Sequence, residues 1–318
     1  MRPMARAFWN GEEQRIRALC RLLLFAMMFL LALFLIALAG LALPQTPLVE
    51  WAGGVAVGGA AVLTVWIACR ALDQRHLVDL GFSLDRAWWG DLLFGLALGA
   101  LLMSGVFGVA AAAGWIEVHS APAASAFDCP LAIAVLLSLL QCTMTGIWEE
   151  AVFRGYLLRN QAEGLSGRRL APRDALLLSA GLTALAFAAA HCGSETPGLA
   201  LANLFLAGGF FAAAVAYTGQ LALPIGFHIA WNFFQGGVFG FSVSGQPLTA
   251  SLVSVDDRGP AVWTGGEYGP EGGLLGSAAF AAAIALTLAW LRVRRGELTI
   301  REQLAVYRPT SVAAAGGG

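Results

Sequence analysis

The chain has 318 residues, of which 58% are hydrophobic and only 12% are charged. Because soluble domains are about one quarter charged, this composition excludes an ordinary soluble protein and predicts an all-α, polytopic membrane protein. The formal net charge is −1, and no basic patch with interleaved aromatic residues is present, which argues against nucleic acid as a partner.

Eight apolar stretches approach the roughly 20 residues that a helix needs to cross a hydrocarbon core of about 30 Å. The first stretch is longer than the core of a cleavable signal peptide, so it is predicted to remain as a span. No domain boundary is visible, and residues 1–318 are predicted to form a single integral membrane domain. The predicted spans are residues 22–43, 51–69, 92–113, 131–147 with an extension, 176–190, 199–216, 221–241 and 274–291.

The basic residues are all arginine, and they collect at alternate ends of the predicted spans. Eighteen of the 19 arginines lie in the N-terminal tail, the second-to-third connection, the fourth-to-fifth region or the C-terminal tail, whereas Arg258 lies on the opposite side. Because short cytoplasmic loops collect positive charge, the tails at residues 1–20 and 296–318 are predicted to be cytoplasmic. Exclusive use of arginine also favours a GC-rich bacterial genome, and therefore a bacterial inner membrane.

The longer loops on the opposite side are rich in glycine, proline, serine and acidic residues. The last of them, residues 242–273, carries four acids that are predicted to be solvated rather than to bind a cation. These acids are Asp256, Asp257, Glu267 and Glu271. The small residues 313–318 at the C-terminus are predicted to be disordered.

Glu149, Glu150 and Arg154 form the first of three polar motifs that interrupt the apolar stretches. Residues four apart share a helical face, so Glu150 and Arg154 can pair, which lowers the cost of burying both charges. Glu149 points about 100° away and can face a cavity as a base. The alternative is a helix end that leaves the membrane with both acids in water, which the arginines that follow would also explain.

Phe187 and His191 form the second motif, at the end of the fifth span, where capping of the helix carboxyl end would also explain a histidine. His228 and Asn232 form the third motif and share one face inside an apolar run. Polar groups inside a span indicate either a functional pocket or a hydrogen bond between helices. Two such groups at one helical spacing favour the pocket.

The three motifs, complete and in this order on three apolar helices, resemble those of the CPBP family of intramembrane proteases. This family includes CAAX prenyl proteases and Abi-type bacteriocin-processing or self-immunity proteins. The resemblance covers residues 141–240, which form the predicted core. It implies about eight transmembrane helices around an intramembrane chamber, and hydrolysis of a peptide bond in a membrane-associated protein or peptide.

The resemblance also implies a role for each motif. Glu149 would be the general base that activates a water molecule, and His191 would help to hold that water. His228 and Asn232 would form an oxyanion hole, a contribution of roughly 3–4 kcal/mol for each donor. The ion pair of the first motif would hold the base and its helix in place.

Two alternatives concern a metal ion. The resemblance is to proteins classed as metalloproteases, and His191, His228 and Glu149 would supply a His₂Glu zinc site with an open water position. The chain contains no His-Glu-x-x-His motif, and hydrolysis by the glutamate without a metal is the preferred interpretation. No cofactor is therefore predicted, and zinc remains the alternative.

Two other functions are compatible with an apolar helical chain. A non-proteolytic scaffold or immunity protein on the same fold would use the polar pairs only to join helices. A small transporter is disfavoured, since no pair of broken helices recurs at matching positions in the two halves. The physiological substrate is not identified by any motif, and nothing in the sequence recognises a prenyl group.

The motif residues must meet for hydrolysis, yet simple span boundaries place them at different depths. At 1.5 Å per residue the fifth helix would be about 26 Å long, nearly a whole bilayer core. The residues converge if the fourth helix continues to about Asn160 and if the fifth begins in the cytosol, with residues 192–198 forming a broken stretch inside the protein that lines a cavity. A distance above about 12 Å between Glu149 and His228 would exclude a hydrolytic site, because its groups must interact directly or through a water.

Overall fold

The computed structural model describes residues 8–119, 129–167, 170–193 and 196–308, and long helices dominate it. The helices are α1 Ala18–Leu41, α2 Pro47–Ala71, α3 Arg86–Ala112, α4 Leu131–Leu165, α5 Pro172–Ala190, α6 Gly198–Thr218, α7 Ala222–Asn232 and α8 Leu274–Arg295. In the described part of the chain, strands occur in two short antiparallel pairs: β1 Trp9–Asn10 with β2 Arg15–Ile16, and β3 Ile116–His119 with β4 Ser254–Asp257. The predicted all-α fold is confirmed.

Seven of these helices are long and apolar enough to cross a membrane, as an integral membrane protein requires. Their outer faces carry large apolar side chains such as Leu30, Phe34 and Leu38 of α1, which suit contact with lipid. The remaining helix, α7, is shorter and continues as a π-helix over Phe233–Val238. Every residue of α7 is buried, so this helix forms the centre of the bundle.

Helix α4 extends well beyond the predicted fourth span. It is α-helical over Leu131–Glu150, π-helical over Ala151–Leu157 and α-helical again over Leu158–Leu165. The predicted continuation of this helix to about residue 160 is therefore confirmed. As a result, Glu149 lies near the middle of the helix, and Arg154 lies inside the helix rather than in the connection that follows it.

Helix α5 ends at Ala190, and the chain is not helical again until Gly198. The predicted break after the fifth helix is present, but the prediction that it lies inside the protein is wrong for the described residues. Cys192, Gly193 and Pro197 are exposed, because the stretch connects two helix ends at one end of the bundle, and residues 194 and 195 lie outside the described residues. His191 is the first residue after the helix and stands at the start of this break.

The helix ends separate into two faces. At the arginine-rich end, the end of α4 contacts the α6–α7 connection, because Arg159 Nη2 donates to the Gly219 carbonyl at 2.9 Å. The opposite end, called here the loop end, joins β3 after α3 to β4 between α7 and α8. At the loop end the start of α6 is also fixed, since Asn203 Nδ2 donates to the Glu271 carbonyl at 2.9 Å.

Glycines allow α3 and α7 to approach at backbone distance. A Cβ atom on Gly99 of α3 would lie 2.6 Å from the Phe227 carbonyl oxygen of α7, which is closer than real Cβ contacts allow. Gly95 of α3 and Gly226 of α7 face the backbone of the opposite helix in the same way. Small residues permit such close packing between membrane helices. The contact fixes the position of α7 and therefore of His228.

A buried group of charged side chains, called here the basal cluster, lies at the arginine-rich end and consists of Arg15, Arg21, Asp73, Arg75 and Glu163. Glu163 pairs with all three arginines, at 2.7 Å from Arg15 and 3.2 Å from Arg21. Arg21 Nε lies 2.5 Å from Asp73 Oδ1. Burial raises the pKa of the Asp73 carboxyl, and the positive charges of Arg21 and Arg75 oppose that rise.

The described parts of the two predicted tails fold against this end. Residues 8–20 contain the β1–β2 pair, and the C-terminal segment contains a short helical turn, Glu302–Ala305. The Tyr307 ring lies 3.4 Å from the Arg15 guanidinium carbon, so the two segments touch each other. Residues 1–7 and 309–318, including the C-terminal segment predicted to be disordered, lie outside the described residues, as do Arg168 and Arg169.

Candidate active site

The three polar motifs meet at one cavity of about 200 Å³ inside the bundle. Its lining includes Glu149 of α4, His191 at the end of α5, and both His228 and Asn232 of α7. The Nε2 atom of His228 lies 3.8 Å from Glu149 Oε2, far within the limit of about 12 Å set by the need for direct or water-mediated contact. The predicted convergence of these residues is confirmed.

Glu150 lies behind the cavity surface and joins the first motif to the third. Its Oε1 atom accepts hydrogen bonds from Arg154 Nη1 at 3.1 Å and from His228 Nδ1 at 3.0 Å. The pair predicted from the four-residue spacing is therefore present, and both side chains are fully buried. The contact with His228 is not predicted by the sequence. Because a carboxylate can only accept, the proton of this bond resides on Nδ1, and Nε2 faces Glu149.

Aromatic rings enclose the Arg154 side chain on its other side. The guanidinium carbon lies 4.3 Å from the Phe187 ring centre and 5.0 Å from the Phe211 ring centre, which is cation–π geometry. Phe211 in turn stacks on the His228 ring, with 5.4 Å between ring centres. Phe187 of the second motif thus stabilises the charge of the first motif, and Phe211 orients the imidazole.

His191 and Asn232 complete the cavity wall. The Nδ1 atom of His191 lies 2.9 Å from the Phe187 carbonyl oxygen, so Nδ1–H donates to the backbone and leaves Nε2 free. The His191 ring is half-buried, in contrast to the buried His228. Asn232 lies one helical turn beyond His228 on the same lining. The cavity therefore contains a carboxylate, two imidazoles and an amide within one small volume.

The Glu149 carboxylate faces the cavity with an unpaired oxygen. Its Oε2 atom, like Glu150 Oε2 and two nitrogens of Arg154, is buried and has no hydrogen-bond partner among the described residues, and of these three residues Glu149 is the one that lines the cavity. Buried polar atoms nearly always have a partner in folded proteins, so an exception beside a cavity marks a position for water or a ligand.

The zinc alternative requires His191, His228 and Glu149 to act as a joint ligand set. Among the described residues, no group of three or more histidine, cysteine or acidic side chains is arranged to hold a metal ion. The residues present thus do not fit a zinc ion, and no reaction step is derived through one.

Glu271 corrects the expectation that all acids of the last loop are solvated. The side chain is only 5% exposed and lines the cavity, whereas Asp256 is largely exposed. Its Oε1 atom accepts from Ser244 Oγ at 2.9 Å and from the Ser244 backbone amide. A loop rich in glycine and acids carries no periodic pattern that would distinguish this residue. Other lining residues that the motifs do not identify include Gln141, Thr145, Trp231, Gln246 and Leu248.

Residues 130–234 match the family model described as type II CAAX prenyl endopeptidase Rce1-like. The matched range contains all three motifs, and the match confirms the resemblance of this part of the chain to the CAAX proteases. It supports a CAAX-type intramembrane protease as the class of enzyme. No curated protein matches the chain.

Proposed function

With a CAAX-type intramembrane protease as the premise, we propose that the protein hydrolyses a peptide bond with a water molecule activated by Glu149. One observation carries the proposal: the unpartnered Glu149 Oε2 lies 3.8 Å from His228 Nε2, beside a cavity that all three motifs line. Attack of water on a carbonyl group requires a base that takes a proton from the water and a hydrogen-bond donor that stabilises the oxyanion. Both groups line this cavity.

The reaction proceeds in two steps. Water bound between Glu149 and His191 gives a proton to the Glu149 carboxylate as its oxygen bonds to the carbonyl carbon. The carbonyl oxygen becomes an oxyanion, which accepts hydrogen bonds from His228 Nε2–H and Asn232 Nδ2–H. The C–N bond then breaks, and the leaving nitrogen takes the proton that Glu149 holds. The products are a carboxyl group and an amine, and the base is restored.

Glu150 and Arg154 serve this chemistry through His228. Because Glu150 accepts the Nδ1–H bond, it favours the imidazolium form, in which Nε2 also carries a proton. The 3.8 Å separation from Glu149 exceeds a hydrogen bond, so the Nε2–H group is not already engaged by that acid. Arg154 compensates the charge of Glu150 and leaves Glu149 as the base.

The direct test is the identification of products by mass spectrometry in membranes that contain wild-type protein or Glu149→Gln. We expect cleavage products in the wild type that are absent from the variant. Glu302→Gln, an exposed change from acid to amide at the other end of the molecule, is the matched control and should retain them. Identical product sets in wild type and Glu149→Gln would contradict the proposal and favour a non-proteolytic scaffold or immunity protein on the same fold.

Removal of bound metal separates the two hydrolytic mechanisms. Purified protein treated with a strong chelator, and verified as metal-free by elemental analysis, is expected to cleave its substrate at the untreated rate. The physical reason is that Glu149 and the two donors need no metal ligand set. Loss of cleavage that returns on addition of zinc would contradict glutamate chemistry without a metal.

A further inference from the structure

The cavity belongs to one half of the bundle. Helix α4 begins at the loop end, and its lining residues Gln141, Cys142 and Thr145 precede its midpoint, while Glu149 lies at the midpoint. On α8, which also begins at the loop end, the lining residue is Phe280, in the second turn. Both helices thus place the cavity between the middle of the bundle and the loop end.

Helices α5 and α6 indicate the same position of the cavity along the bundle. Helix α6 begins at the loop end and contributes Leu204 and Ala207, which precede its midpoint, and Phe211, which lies less than one turn beyond it. Helix α5 runs in the opposite direction and contributes Phe187 and His191, at its last turn and just beyond. Helices of both directions therefore place the cavity on the same side of the bundle's middle.

The loop between α7 and α8 supplies the rim. Ser244, Gln246 and Pro247 line the cavity, and the latter two are exposed, so the cavity opens at this loop. Glu271 fixes the rim, because its side chain accepts hydrogen bonds from Ser244 and its backbone carbonyl accepts one from Asn203. The opening of the cavity at Gln246 and Pro247, called here the mouth, is therefore held in place by hydrogen bonds at the loop end.

Buried side chains fill the bundle between the cavity and the arginine-rich end. Beyond Glu150 and Arg154, toward the arginine-rich end, Tyr156 and Leu221 are fully buried, and the basal cluster follows. None of the described residues of the basal cluster lines the cavity. Access from the arginine-rich end would therefore require this packing and its ion pairs to separate.

Charge identifies the side on which the mouth lies. Seventeen of the 19 arginines belong to the tails and connections of the other end in the sequence, and Arg154 lies inside α4. The remaining one, Arg258, is exposed beside Glu117 and Asp256. Short loops without positive charge are extracytoplasmic. The mouth at Gln246 and Pro247 therefore faces away from the cytoplasm.

We propose that the protein cleaves an extracytoplasmic segment of a membrane-anchored polypeptide, admitted at the mouth formed by the α7–α8 loop. This inference rests on the hydrolytic function proposed above. A carboxyl-terminal segment presented in the cytosol would meet the arginine-rich end, where none of the described residues lines the cavity of the three motifs. The mouth-forming loop also lies outside residues 130–234, the range matched to the prenyl endopeptidases, so it is a part in which this chain can differ from them.

Cysteine labelling on intact cells tests the side of the mouth. The five native cysteines are first replaced by alanine, and single cysteines are introduced as Gln246→Cys at the mouth and Glu302→Cys at the arginine-rich end. A membrane-impermeant maleimide should label Gln246→Cys on intact cells and label Glu302→Cys only after permeabilisation. The reverse pattern would overturn the proposal.

A second control separates the mouth from its surroundings. Val262→Cys lies on the same loop at a side chain that is 55% exposed and does not line the cavity. A bulky maleimide should label both loop variants on intact cells, but it should block cleavage only in Gln246→Cys. Equal cleavage by labelled and unlabelled Gln246→Cys would contradict entry at this rim.

Sequencing of newly formed N-termini, in cells with wild type or Glu149→Gln, tests the substrate class. Termini that depend on Glu149 should map to extracytoplasmic segments of membrane proteins, and termini in cytosolic segments would overturn the inference. If no terminus depends on Glu149, the hydrolytic function fails instead. The labelling pattern still reports the side of the mouth in that case, so the two failures are distinguishable.

Discussion

Two of the buried groups of charged side chains among the described residues are built in opposite ways. The basal cluster joins segments that are far apart in the sequence, and one acid, Glu163, contacts three arginines. The active-site cluster takes two acids and an arginine from one stretch of α4 and adds His228 from α7. In the first, the central acid is surrounded by partners; in the second, Glu149 keeps a free oxygen.

This difference separates stabilisation from reactivity. Removal of one partner from a buried ion pair is strongly destabilising, since it leaves a charge without compensation. A buried carboxylate without a partner contributes no such stabilisation, and sites of this kind are retained for function. Replacement of one acid by its amide should therefore have opposite consequences in the two clusters.

The largest effect is expected for Glu149→Gln. Loss of the general base should reduce the rate of cleavage by about 10²–10⁴-fold. The thermal unfolding temperature in detergent should equal or exceed that of wild type, because the amide no longer requires desolvation of a charge. Product formation and unfolding are measured on the same preparation. A variant that unfolds would show that Glu149 stabilises the fold, and it would contradict the difference in role between the two clusters.

The matched change in the other cluster is Glu163→Gln. It leaves three buried arginines without their shared acid, so the free energy of unfolding should fall by about 3–5 kcal/mol. Unfolding by titration with SDS measures this loss, and cleavage per folded molecule should stay at the wild-type level. A stable variant, or one that is folded but inactive, would remove the proposed division of roles.

Asn232→Ala sharpens the comparison within the active site. Loss of one oxyanion donor should lower the rate of cleavage by about 10²–10³-fold, with KM little changed, because the bond is strongest in the transition state. Steady-state kinetics and the unfolding temperature together check this expectation. A rise in KM at constant kcat would instead assign Asn232 to substrate binding.

The smallest effect concerns the glycine contact that positions His228. Gly99→Ala places a methyl group against the α7 backbone and should lower the free energy of unfolding by about 1–3 kcal/mol. Gly105→Ala on the same helix is the matched control, since no atom lies within 4 Å of its added Cβ. SDS titration should find the control equal to or more stable than wild type.

The resemblance to a known family led to the prediction that the three motifs meet in one cavity. The sequence itself was sufficient to predict the helical fold and the pairing of Glu150 with Arg154. These features depend on apolar length and on helical spacing, which are local properties of a chain. The arginine asymmetry predicts the orientation of the helices, and this remains a prediction. The resemblance to a known family added the roles of the individual residues.

Other features could not be predicted because they depend on contacts between distant segments. Arg15 and Arg21 look like ordinary tail residues until Asp73 and Glu163 are brought to them by the fold. Glu271 looks like a solvated loop acid, and the bond between Glu150 and His228 joins residues 78 positions apart. No periodicity in a single sequence records such pairings.

The π-helical segment Ala151–Leu157 links the two clusters through the register of α4. A wide turn of this kind holds one more residue than an α-helical turn, so it works as a retained insertion in the helix. If the same residues formed a regular α-helix with no wide turn, all that follows would be rotated by about 100°. Glu149 would stay in the cavity while Glu163 turned away from its arginines. The wide turn therefore allows one helix to place Glu149 in the cavity and Glu163 against its arginines.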